Sequence, residues 1–262
     1  MPIITLTTDF GIKDGFTGVL KGVIWGICPE AQVADITHNV TPQNVAEGAL
    51  ALYRVVPFFP PGTIHVAVVD PGVGTKRRPM AAQLGDQFFV GPDNGIFTPL
   101  IEEVQSKNLV KTLIHLDRPE FWLPNVSHTF HGRDIFAPVG AHLAKDVPLT
   151  DLGSIFQDPI LLSLAKPVQT SNGWEAQISI IDTFGNLTTN LRAEQVESKK
   201  DITVSVKGRE ISSIVESYGW QKKGNLVALV DSEGYIEIAV VNGSAARELQ
   251  AEVGDTVQFV YR

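Results

Sequence analysis

The sequence predicts an N-terminal α/β domain with a mainly parallel sheet, followed by an all-β, barrel-like C-terminal domain. In the first part, apolar runs typical of buried strands alternate with stretches that have the period of an amphipathic helix. After about residue 166, segments of period-2 alternation follow one another without helical spacers. With 44% hydrophobic and 19% charged residues, the 262-residue chain can bury a substantial core.

The N-terminal elements are predicted in a regular order. Strands are expected at residues 3–9, 31–37 and 64–70, helices at 15–27 and from Thr41-Pro42 to about 56, and a hairpin at 80–90. Proline suits the first turn of a helix, which is why the second helix is expected to start at Pro42. A Gly-Pro-Asp-Asn-Gly turn at residues 91–95 precedes a further helix. Strands separated by such helices predict a sheet covered on both faces.

The C-terminal elements are predicted as short strands at regular intervals. They are expected at residues 176–182, 202–206, 226–230, 235–240 and 256–260. We therefore predict two domains, an α/β domain at 1–160 and a barrel-like domain at 173–262.

Composition and charge exclude several classes of function. Lys plus Arg is 21 and Asp plus Glu is 29, so the net charge is −8, and the one basic cluster is residues 76–78. Such a chain is a poor ligand for nucleic acid or for a membrane surface. Cys28 is the single cysteine, which excludes an intrachain disulfide and predicts a buried structural thiol. The N-terminus lacks a signal-peptide pattern, so we expect a cytoplasmic protein.

Acidic residues stand at or near the ends of three predicted strands, at Asp9, Asp35 and Asp70. Ligands of open α/β sheets bind beyond the carboxyl ends of the strands, so Asp9 and Asp70 should approach one crevice if their strands are neighbours. Such residues also cap helices or order turns. No Gly-x-Gly-x-x-Gly follows the first strand. A carboxylate that holds a ribose diol, and so a nucleoside-type ligand, is favoured over a dinucleotide.

A histidine lies in the Phe-His-Gly-Arg-Asp segment at residues 130–134, which makes His131 a candidate for chemistry. The spacing of His128 and His131 would suit a metal on a helix, but no glutamate lies between them as in zincins, so no metal site is predicted. Four histidines without a surrounding motif are expected to be structural: His38, His65, His115 and His142.

Five motifs occur in the order found in one known family. They are Thr-Thr-Asp-Phe-Gly at 7–11, Asp-Pro-Gly-Val-Gly-Thr-Lys-Arg-Arg at 70–78, Gly-Pro-Asp-Asn-Gly at 91–95, Phe-His-Gly-Arg-Asp at 130–134 and Asp-Thr-Phe-Gly-Asn at 182–186. The chain resembles the S-adenosyl-L-methionine hydroxide adenosyltransferases, the hydrolase relatives of the fluorinating and chlorinating enzymes. The resemblance extends over nearly the whole chain.

The resemblance implies a reaction and an assembly. Water or hydroxide would attack the ribose 5′ carbon of S-adenosylmethionine, giving adenosine and L-methionine without a cofactor. The protein would be a homotrimer in which the ligand lies between the N-terminal domain of one subunit and the C-terminal domain of the next.

The resemblance also implies roles for individual residues. The water-holding trio corresponds to Asp70, Arg77 and His131. The substrate-binding positions are Asp9 for the ribose, Phe184, Asn186, Tyr218 and Val240 for the adenine, and Asp14, Asp182, Ser232 and Glu233 for the methionine part. A carboxylate at Asp70 would repel a halide, so hydroxide transfer is favoured over halogenation.

Two alternatives stay open at this point. A metal-dependent nucleoside hydrolase also carries aspartates after its first strand, and Asp9 with Asp14 gives a partial match without adjacent paired aspartates. Activity in the presence of a chelator would remove it. A non-catalytic protein that binds adenosine or S-adenosylmethionine is the second alternative, and release of adenosine would exclude it.

Overall fold

The computed structural model describes residues 1–196 and 202–261. The chain divides into two compact units, Met1–Ser163 and Leu164–Arg262. Within the described residues, no helix combines the length and apolar character needed to cross a membrane.

The first unit, all of which is described, alternates strands and helices along the chain. Its elements are β1 Ile3–Thr8, α1 Phe16–Ile27, β2 Gln32–Thr37, α2 Val45–Val55, β3 Ile64–Val68, β4 Pro79–Leu84, β5 Gln87–Pro92, α3 Thr98–Ser106, β6 Lys111–His115, α4 Ala137–Ala144 and β7 Ser154–Ile155. Short 3-10 turns occupy Val56–Phe58, Pro119–Phe121 and Leu149–Leu152, and a π-turn occupies Gly132–Phe136.

The seven strands form one sheet in the order β2-β1-β3-β5-β4-β6-β7. Strands β2, β1, β3 and β5 run parallel, whereas β4, β6 and β7 join antiparallel. The predicted mainly parallel sheet and the hairpin at 80–90 are confirmed. Because β1 and β3 are parallel neighbours, residues 9 and 70 leave the sheet at the same edge.

Helices cover both faces of this sheet. Helix α1 buries Leu20 and Ile24 against α4 and the sheet, and α2 and α3 pack on the opposite face around Leu52 and Ile101. Each such side chain contributes about 1.5–3 kcal/mol when buried. Cys28 is fully buried in the first of these cores, as predicted, and burial raises the pKa of its thiol.

The predicted start of the second helix at Thr41-Pro42 is wrong, because α2 begins at Val45. The side chain of Asn44 caps the helix by accepting a hydrogen bond from the Glu47 N–H. Gln43 has a left-handed backbone with φ of 68°, which cannot continue a helix in either direction. The cap chemistry therefore outweighs the preference of proline for a first turn.

The second unit is a strand-rich, barrel-like structure. Its described elements are β8 Val168–Thr170, β9 Gly173–Ile181, β10 Leu187–Arg192, β11 Ile202–Val206, β12 Arg209–Ile211, β13 Ile214–Val215, β14 Leu226–Val230, β15 Tyr235–Val240, α5 Ala245–Leu249 and β16 Thr256–Tyr261. The strand order is β12-β11-β16-β9-β10-β15-β14-β13, with β8 beside β9. Strand β12 also contacts β14, so the sheet curls nearly to closure around its apolar core.

Candidate active site

A cleft of about 280 Å³ lies at the edge of the first unit where β1 and β3 end. Asp9 and Asp70 both line it, so the prediction that these two residues share one crevice is confirmed. The remaining lining residues are Phe10, Gln43, Val68, Pro71, Val73, Thr129, Phe130, His131 and Gly132.

Asp9 is held at the mouth of this cleft by the backbone. Its Oδ2 accepts a hydrogen bond of 2.8 Å from the N–H of Gln43, whose left-handed conformation turns that N–H away from helix α2. The preceding Thr8 hydroxyl lies 2.8 Å from Nδ1 of His38. These hydrogen bonds fix the position of the Asp9 carboxylate at the end of β1.

Asp35, the third acidic residue at a strand end, has a structural role. Its carboxylate pairs with Lys21 at 2.6 Å and lies 3.0 Å from Nε2 of His38. Although burial opposes the charge, these two partners hold the pKa of Asp35 below its usual range. Asp35 thus contacts the end of β1 only indirectly, through His38 and Thr8, and is not among the residues lining the cleft.

Asp70 and Arg77 form a bidentate ion pair. Arg77 donates from Nε to Oδ1 of Asp70 at 3.1 Å and from Nη2 to Oδ2 at 2.5 Å. The two side chains are only 5% and 6% exposed, respectively. Fork-to-carboxylate geometry at a buried position fixes the orientation of both groups. Asp70 lines the cleft, whereas Arg77 lies behind it with its guanidinium 5.3 Å from the Phe136 ring centre.

His131, which lines the cleft from a different loop, completes the network. Nη2 of Arg77 lies 3.0 Å from Nδ1 of His131, and because a guanidinium only donates, this nitrogen is an acceptor. Burial first, and then the positive charge of Arg77, lower the pKa of His131, against the opposing effect of Asp70. The imidazole is therefore neutral near pH 7.

The segment before His131 is ordered by a buried carboxylate. Asp134 is fully buried and accepts hydrogen bonds from the backbone N–H and the hydroxyl of Ser127 at 2.8 and 2.7 Å, and from Nε of Arg133 at 2.6 Å. His131 stands at the start of the π-turn Gly132–Phe136, a distortion often found at functional sites.

Gly74 joins the loop that carries Arg77 to the loop that carries His131. Its φ is +75°, and a Cβ at this position would lie 2.1 Å from the carbonyl oxygen of His128. Only glycine satisfies both conditions. The close approach keeps the two loops in contact and so supports the bond between Arg77 and His131.

Three phenylalanines pack edge to face beside the cleft. The ring centres of Phe10, Phe16 and Phe130 lie 5.3–6.3 Å apart. Phe10 and Phe130 line the cleft, so one wall of it is apolar and aromatic. Such a wall suits the apolar part of a ligand and excludes water.

The structure does not bring Asp14 to this cleft. Asp14 is exposed in the loop between β1 and α1 and is not a lining residue. Among the described residues, no group of three or more His, Cys, Asp or Glu side chains is arranged to hold a metal ion.

In the second unit, Asp182 and Asn186 are brought together in the turn between β9 and β10. Oδ1 of Asp182 accepts the N–H groups of Phe184 and Asn186, and Oδ2 accepts Nδ2 of Asn186 at 3.1 Å. Gly185 packs so tightly that a Cβ there would lie 2.0 Å from Oγ of Ser244. This rigid turn leaves Phe184 76% exposed.

Tyr218 donates a short hydrogen bond from its hydroxyl to Oε1 of Glu237. Its pKa is raised, first by burial and then by Glu237, with Asp182 and Asp231 acting in the same direction. The phenol therefore stays protonated and remains a donor. The carboxylates of Asp182 and Asp231, which lie in two different turns of this unit, thus both raise the pKa of Tyr218.

Ser232 and Glu233 lie in the turn between β14 and β15. Oδ1 of Asp231 orders this turn by accepting the N–H groups of Glu233 and Tyr235, each at 2.9 Å. The register pairs Leu187 with Ile238 and Arg192 with Tyr235.

This register puts the Ser232 turn and the Asn186 turn at opposite ends of β10 and β15. Val240 is buried at the end of β15 on the Asn186 side. The predicted residues of this unit therefore form two groups along the strands.

Gln43 and Glu237 each hold a predicted site residue and were not themselves predicted from the sequence. Gln43 holds Asp9 through its backbone, which leaves no side-chain signal. Glu237 is 6% exposed within the strand Tyr235–Val240. A lone charge in an otherwise apolar strand was a usable signal, because a buried carboxylate needs a partner.

Two family descriptions match this sequence. The SAM hydroxide adenosyltransferase N-terminal domain matches residues 4–153, and the SAM hydroxide adenosyltransferase C-terminal domain matches residues 176–258. The chain belongs to the SAM hydroxide adenosyltransferase family.

Two hydrolase relatives and one solved structure match over nearly the full length of both chains, and a fluorinase matches over about three quarters. An (R)-S-adenosyl-L-methionine hydrolase of Salinispora tropica is 37% identical over 98% of this chain and 97% of its own. The enzyme of the same name from Methanocaldococcus jannaschii is 33% identical over 100% and 97%. A fluorinase of Actinoplanes is 28% identical over 75% and 74%. A crystal structure of an uncharacterized conserved protein from Thermotoga maritima is 37% identical, with a TM-score of 0.92 over 98% and 99% of the two chains.

Proposed function

We propose that this protein hydrolyses S-adenosyl-L-methionine to adenosine and L-methionine. The observation that carries the proposal is the buried network in which Arg77 holds both Asp70 and His131 at the edge of the cleft. Family membership and the name shared by the hydrolase relatives support it. The protein is then an enzyme whose partner is a small molecule.

The chemistry is an in-line displacement at the ribose 5′ carbon. An oxygen of water or hydroxide forms a bond to C5′ while the bond from C5′ to the sulfonium sulfur breaks. The electron pair of that bond returns to sulfur, which leaves as the neutral thioether of methionine. No general acid is needed at this leaving group. The enzyme has to align the oxygen nucleophile and to remove part of its hydration.

Asp70 is the proposed acceptor for the proton of the attacking water. It lines the cleft with its carboxylate orientation fixed by the Arg77 fork. A positioned proton acceptor contributes typically ~100–10,000-fold to a rate. Arg77 acts from behind the cleft, where its fixed positive charge favours hydroxide character of the nucleophile. His131, neutral and accepting from Arg77, fixes the second edge of that guanidinium.

Substrate binding is assigned to the remaining predicted residues. Asp9 would accept hydrogen bonds from the ribose hydroxyls, since Gln43 already fixes its carboxylate at the cleft. The adenine is assigned to Phe184, Asn186, Tyr218 and Val240, and the methionine part to Asp14, Asp182, Ser232 and Glu233. The exposed ring of Phe184 supports a stacking role.

The preferred nucleophile and sulfonium epimer follow from chemistry and from the relatives. The carboxylate of Asp70 repels a halide ion and favours water as the nucleophile. The proposed reaction therefore differs in its nucleophile from the one that the fluorinase relatives are named for. The hydrolase relatives are named for the (R) epimer. We propose the same epimer as the substrate here.

We also propose that the enzyme is a cytoplasmic homotrimer that needs no cofactor. In this proposal the residues of the first unit and those of the second unit act on one substrate molecule from different subunits, as the family resemblance implies. Two inactive variants, Asp70→Ala and Asn186→Ala, should then regain activity when their subunits exchange. Confirmed exchange without recovery would contradict the shared site.

The proposed function is tested by incubating the purified protein with each sulfonium epimer and separating the products by chromatography. Adenosine and methionine in equal amounts, formed faster from the (R) epimer and also in the presence of a chelator, are the expected result. No adenosine from either epimer would refute the proposal. Adenosine that appears only with an added divalent metal would favour a metal-dependent hydrolase.

A further inference from the structure

The Gly-Pro-Asp-Asn-Gly turn at residues 91–95 has no role in the function proposed so far. It begins at the end of β5, beside β3 in the parallel part of the sheet, and leads into α3. Asp93 and Asn94 both send their side chains back to the segment that carries Asp70 and Arg77.

Asn94 holds the start of that segment. Its Nδ2 donates a 2.8 Å hydrogen bond to the carbonyl oxygen of Val69, the residue directly before Asp70. Its Oδ1 accepts the N–H of Ile96, which fixes the orientation of the amide. The main chain at Asp70 is therefore anchored by a side chain from a neighbouring strand end.

Asp93 holds the other end of the segment. Its Oδ2 accepts from Nε of Arg78 at 3.0 Å, and its own N–H donates to the Arg78 carbonyl oxygen at 2.9 Å. Arg78 directly follows Arg77. The second carboxylate oxygen accepts the N–H of Ile160 at 2.8 Å, so Asp93 has a partner on both oxygens.

The turn itself has almost no freedom to move. Asp93 is 1% exposed. A Cβ on Gly91 would lie 2.3 Å from the carbonyl oxygen of Ala67, and one on Gly95 would lie 2.5 Å from Cγ of Leu162. Both glycines thus permit close packing of the turn on fixed neighbours. A turn that is held rigidly in this way fixes the positions of the residues to which it is hydrogen-bonded.

We propose that Asp93 and Asn94 are positioning residues that clamp the two ends of the 70–78 segment and thereby hold the Asp70–Arg77 pair in register with His131. The inference rests on the proposed function for its kinetic consequence. Neither residue lines the cleft. They act on the reaction only through Val69 and Arg78, the chain neighbours of Asp70 and Arg77.

Two near-isosteric variants test the clamp. Asn94→Asp removes the N–H donor that bonds the Val69 carbonyl oxygen and keeps an oxygen that accepts the Ile96 N–H. Asp93→Asn removes the negative charge that faces Arg78 and replaces one acceptor oxygen by an amide nitrogen.

Should Asp93→Asn fail to fold, Arg78→Gln removes the same ion pair from the partially exposed side, together with the bonds of Arg78 to Asp158. Asp158→Asn then serves as the control for the loss of that second pair. Thr63→Val is the matched control. It removes a buried hydroxyl that donates to the carbonyl oxygen of Pro60, at the opposite end of β3 from Asp70 and outside the 91–95 turn.

We expect each clamp variant to lower kcat by about tenfold to 100-fold, because misplacing a reacting group by about 1 Å has an effect of that size. KM for S-adenosylmethionine should change less than about twofold, because binding groups are untouched. Thr63→Val should lower the melting temperature and leave kcat of the folded enzyme within about twofold of the parent. An unchanged kcat in the folded clamp variants would overturn the proposal, and so would an equal loss in Thr63→Val.

A second measurement separates this inference from the proposed function. The His131 ring is titrated by NMR in the parent and in both clamp variants, with no substrate present. If the clamp positions Arg77, its loosening moves the guanidinium away from Nδ1, and the pKa of His131 rises. An unchanged titration in both variants would overturn the clamp even if adenosine is formed. A parent enzyme that releases no adenosine refutes the proposed function and leaves this titration to decide the clamp.

Discussion

Nη2 of Arg77 lies 3.0 Å from Nδ1 of His131, although 54 positions separate the two residues in the chain. The same nitrogen also donates to Oδ2 of Asp70. One guanidinium therefore sets the geometry of a carboxylate and an imidazole that face the cleft from different loops. A planar fork can do this because its donors point in fixed directions.

Replacing Arg77 by lysine distinguishes the effect of its positive charge from the effect of its hydrogen-bond geometry. Arg77→Lys keeps the positive charge, but a single ammonium cannot bond both carboxylate oxygens and Nδ1 of His131 in the same directions. We expect kcat to fall by about 100-fold or more, since orientation supplies much of the catalytic effect. Arg118→Lys, an exposed arginine 3.9 Å from Asp117, serves as the control and should keep full activity. Activity of Arg77→Lys within threefold of the parent would contradict the bridging role.

Asp9 should contribute to nucleoside affinity. Asp9→Asn removes the charge that two ribose hydroxyls would bond, and charge-assisted hydrogen bonds contribute ~1.5–3 kcal/mol each. We expect the Kd for adenosine, measured by calorimetry, to rise at least about tenfold. Asp86→Asn, at an exposed carboxylate in the β4–β5 turn, should leave it unchanged. Equal Kd values for Asp9→Asn and the parent would remove Asp9 from the ribose site.

Gly74 offers a test of the contact between the two loops. Gly74→Ala places a Cβ 2.1 Å from the His128 carbonyl oxygen and also strains a backbone with φ of +75°. We expect a stability loss of about 1–3 kcal/mol, together with a lower kcat because the His131 loop must shift.

Gly85→Ala is the matched control for Gly74→Ala. Gly85 has φ of +64°, but a Cβ there would meet no atom within 4 Å. It carries the backbone strain without the collision. We expect it to lose stability and keep its kcat. If both variants have the parent kcat, the close approach of Gly74 does not support the site.

His65 links three strands and makes stability depend on pH. Its Nδ1 lies 2.7 Å from the Thr5 hydroxyl and its Nε2 lies 2.7 Å from Oε1 of Gln87. Oε1 only accepts, so Nε2 carries the proton and Nδ1 accepts from Thr5. Burial lowers the pKa of His65 to about 4, with the Gln87 bond acting in the opposite direction.

The lowered pKa of His65 sets the sign of the effect. Below pH 6.5 the unfolded chain binds a proton at this histidine, while the folded protein stays neutral until about pH 4. The free energy of unfolding should therefore fall as pH drops between these values, by up to about 3 kcal/mol from this residue. Denaturant unfolding at several pH values checks this. In His65→Leu the free energy of unfolding should depend less on pH, by that amount. Parallel plots of unfolding free energy against pH for the two proteins would contradict this role of His65.

The parts of the fold with a clear period could be predicted from the sequence, and α4 shows why others could not. Residues Ala137–Ala144 are apolar on almost every side and include Pro138 and Gly140. A helix buried all round has no polar face and therefore no amphipathic period. Gly140 is explained only by packing, since a Cβ there would lie 2.7 Å from Cγ2 of Val66.

The local sequence does not predict strand β10, for a related reason. Thr188 and Thr189 are buried, although the local sequence is polar. The Thr189 hydroxyl donates to the carbonyl oxygen of Ile236 on the neighbouring strand. A buried polar residue is stable only with such a partner, and a partner 47 residues away is not visible in a local pattern.

For the candidate site, the sequence indicated that Asp9 and Asp70 share an edge if their strands are neighbours, because helix spacers imply parallel strands. That β1 and β3 are neighbours is shown by the structure. The sequence could not show that Arg77 stands behind the cleft and bonds His131. By itself, residue 77 belongs to a basic triplet that is typical of a solvated surface. Its burial depends on the loop from 70 to 78 folding back on Asp70, which only the tertiary structure reveals.

The origin of the new oxygen atom distinguishes attack by water at C5′ from every other route to the products. The parent enzyme and Asp70→Asn are incubated with S-adenosylmethionine in water enriched in oxygen-18, and the products are examined by mass spectrometry. We expect adenosine labelled once at its 5′ hydroxyl and unlabelled methionine, with the rate in Asp70→Asn lower by ~100–10,000-fold. Unlabelled adenosine, or adenine or methylthioadenosine in its place, would contradict displacement at C5′ by a water that Asp70 holds.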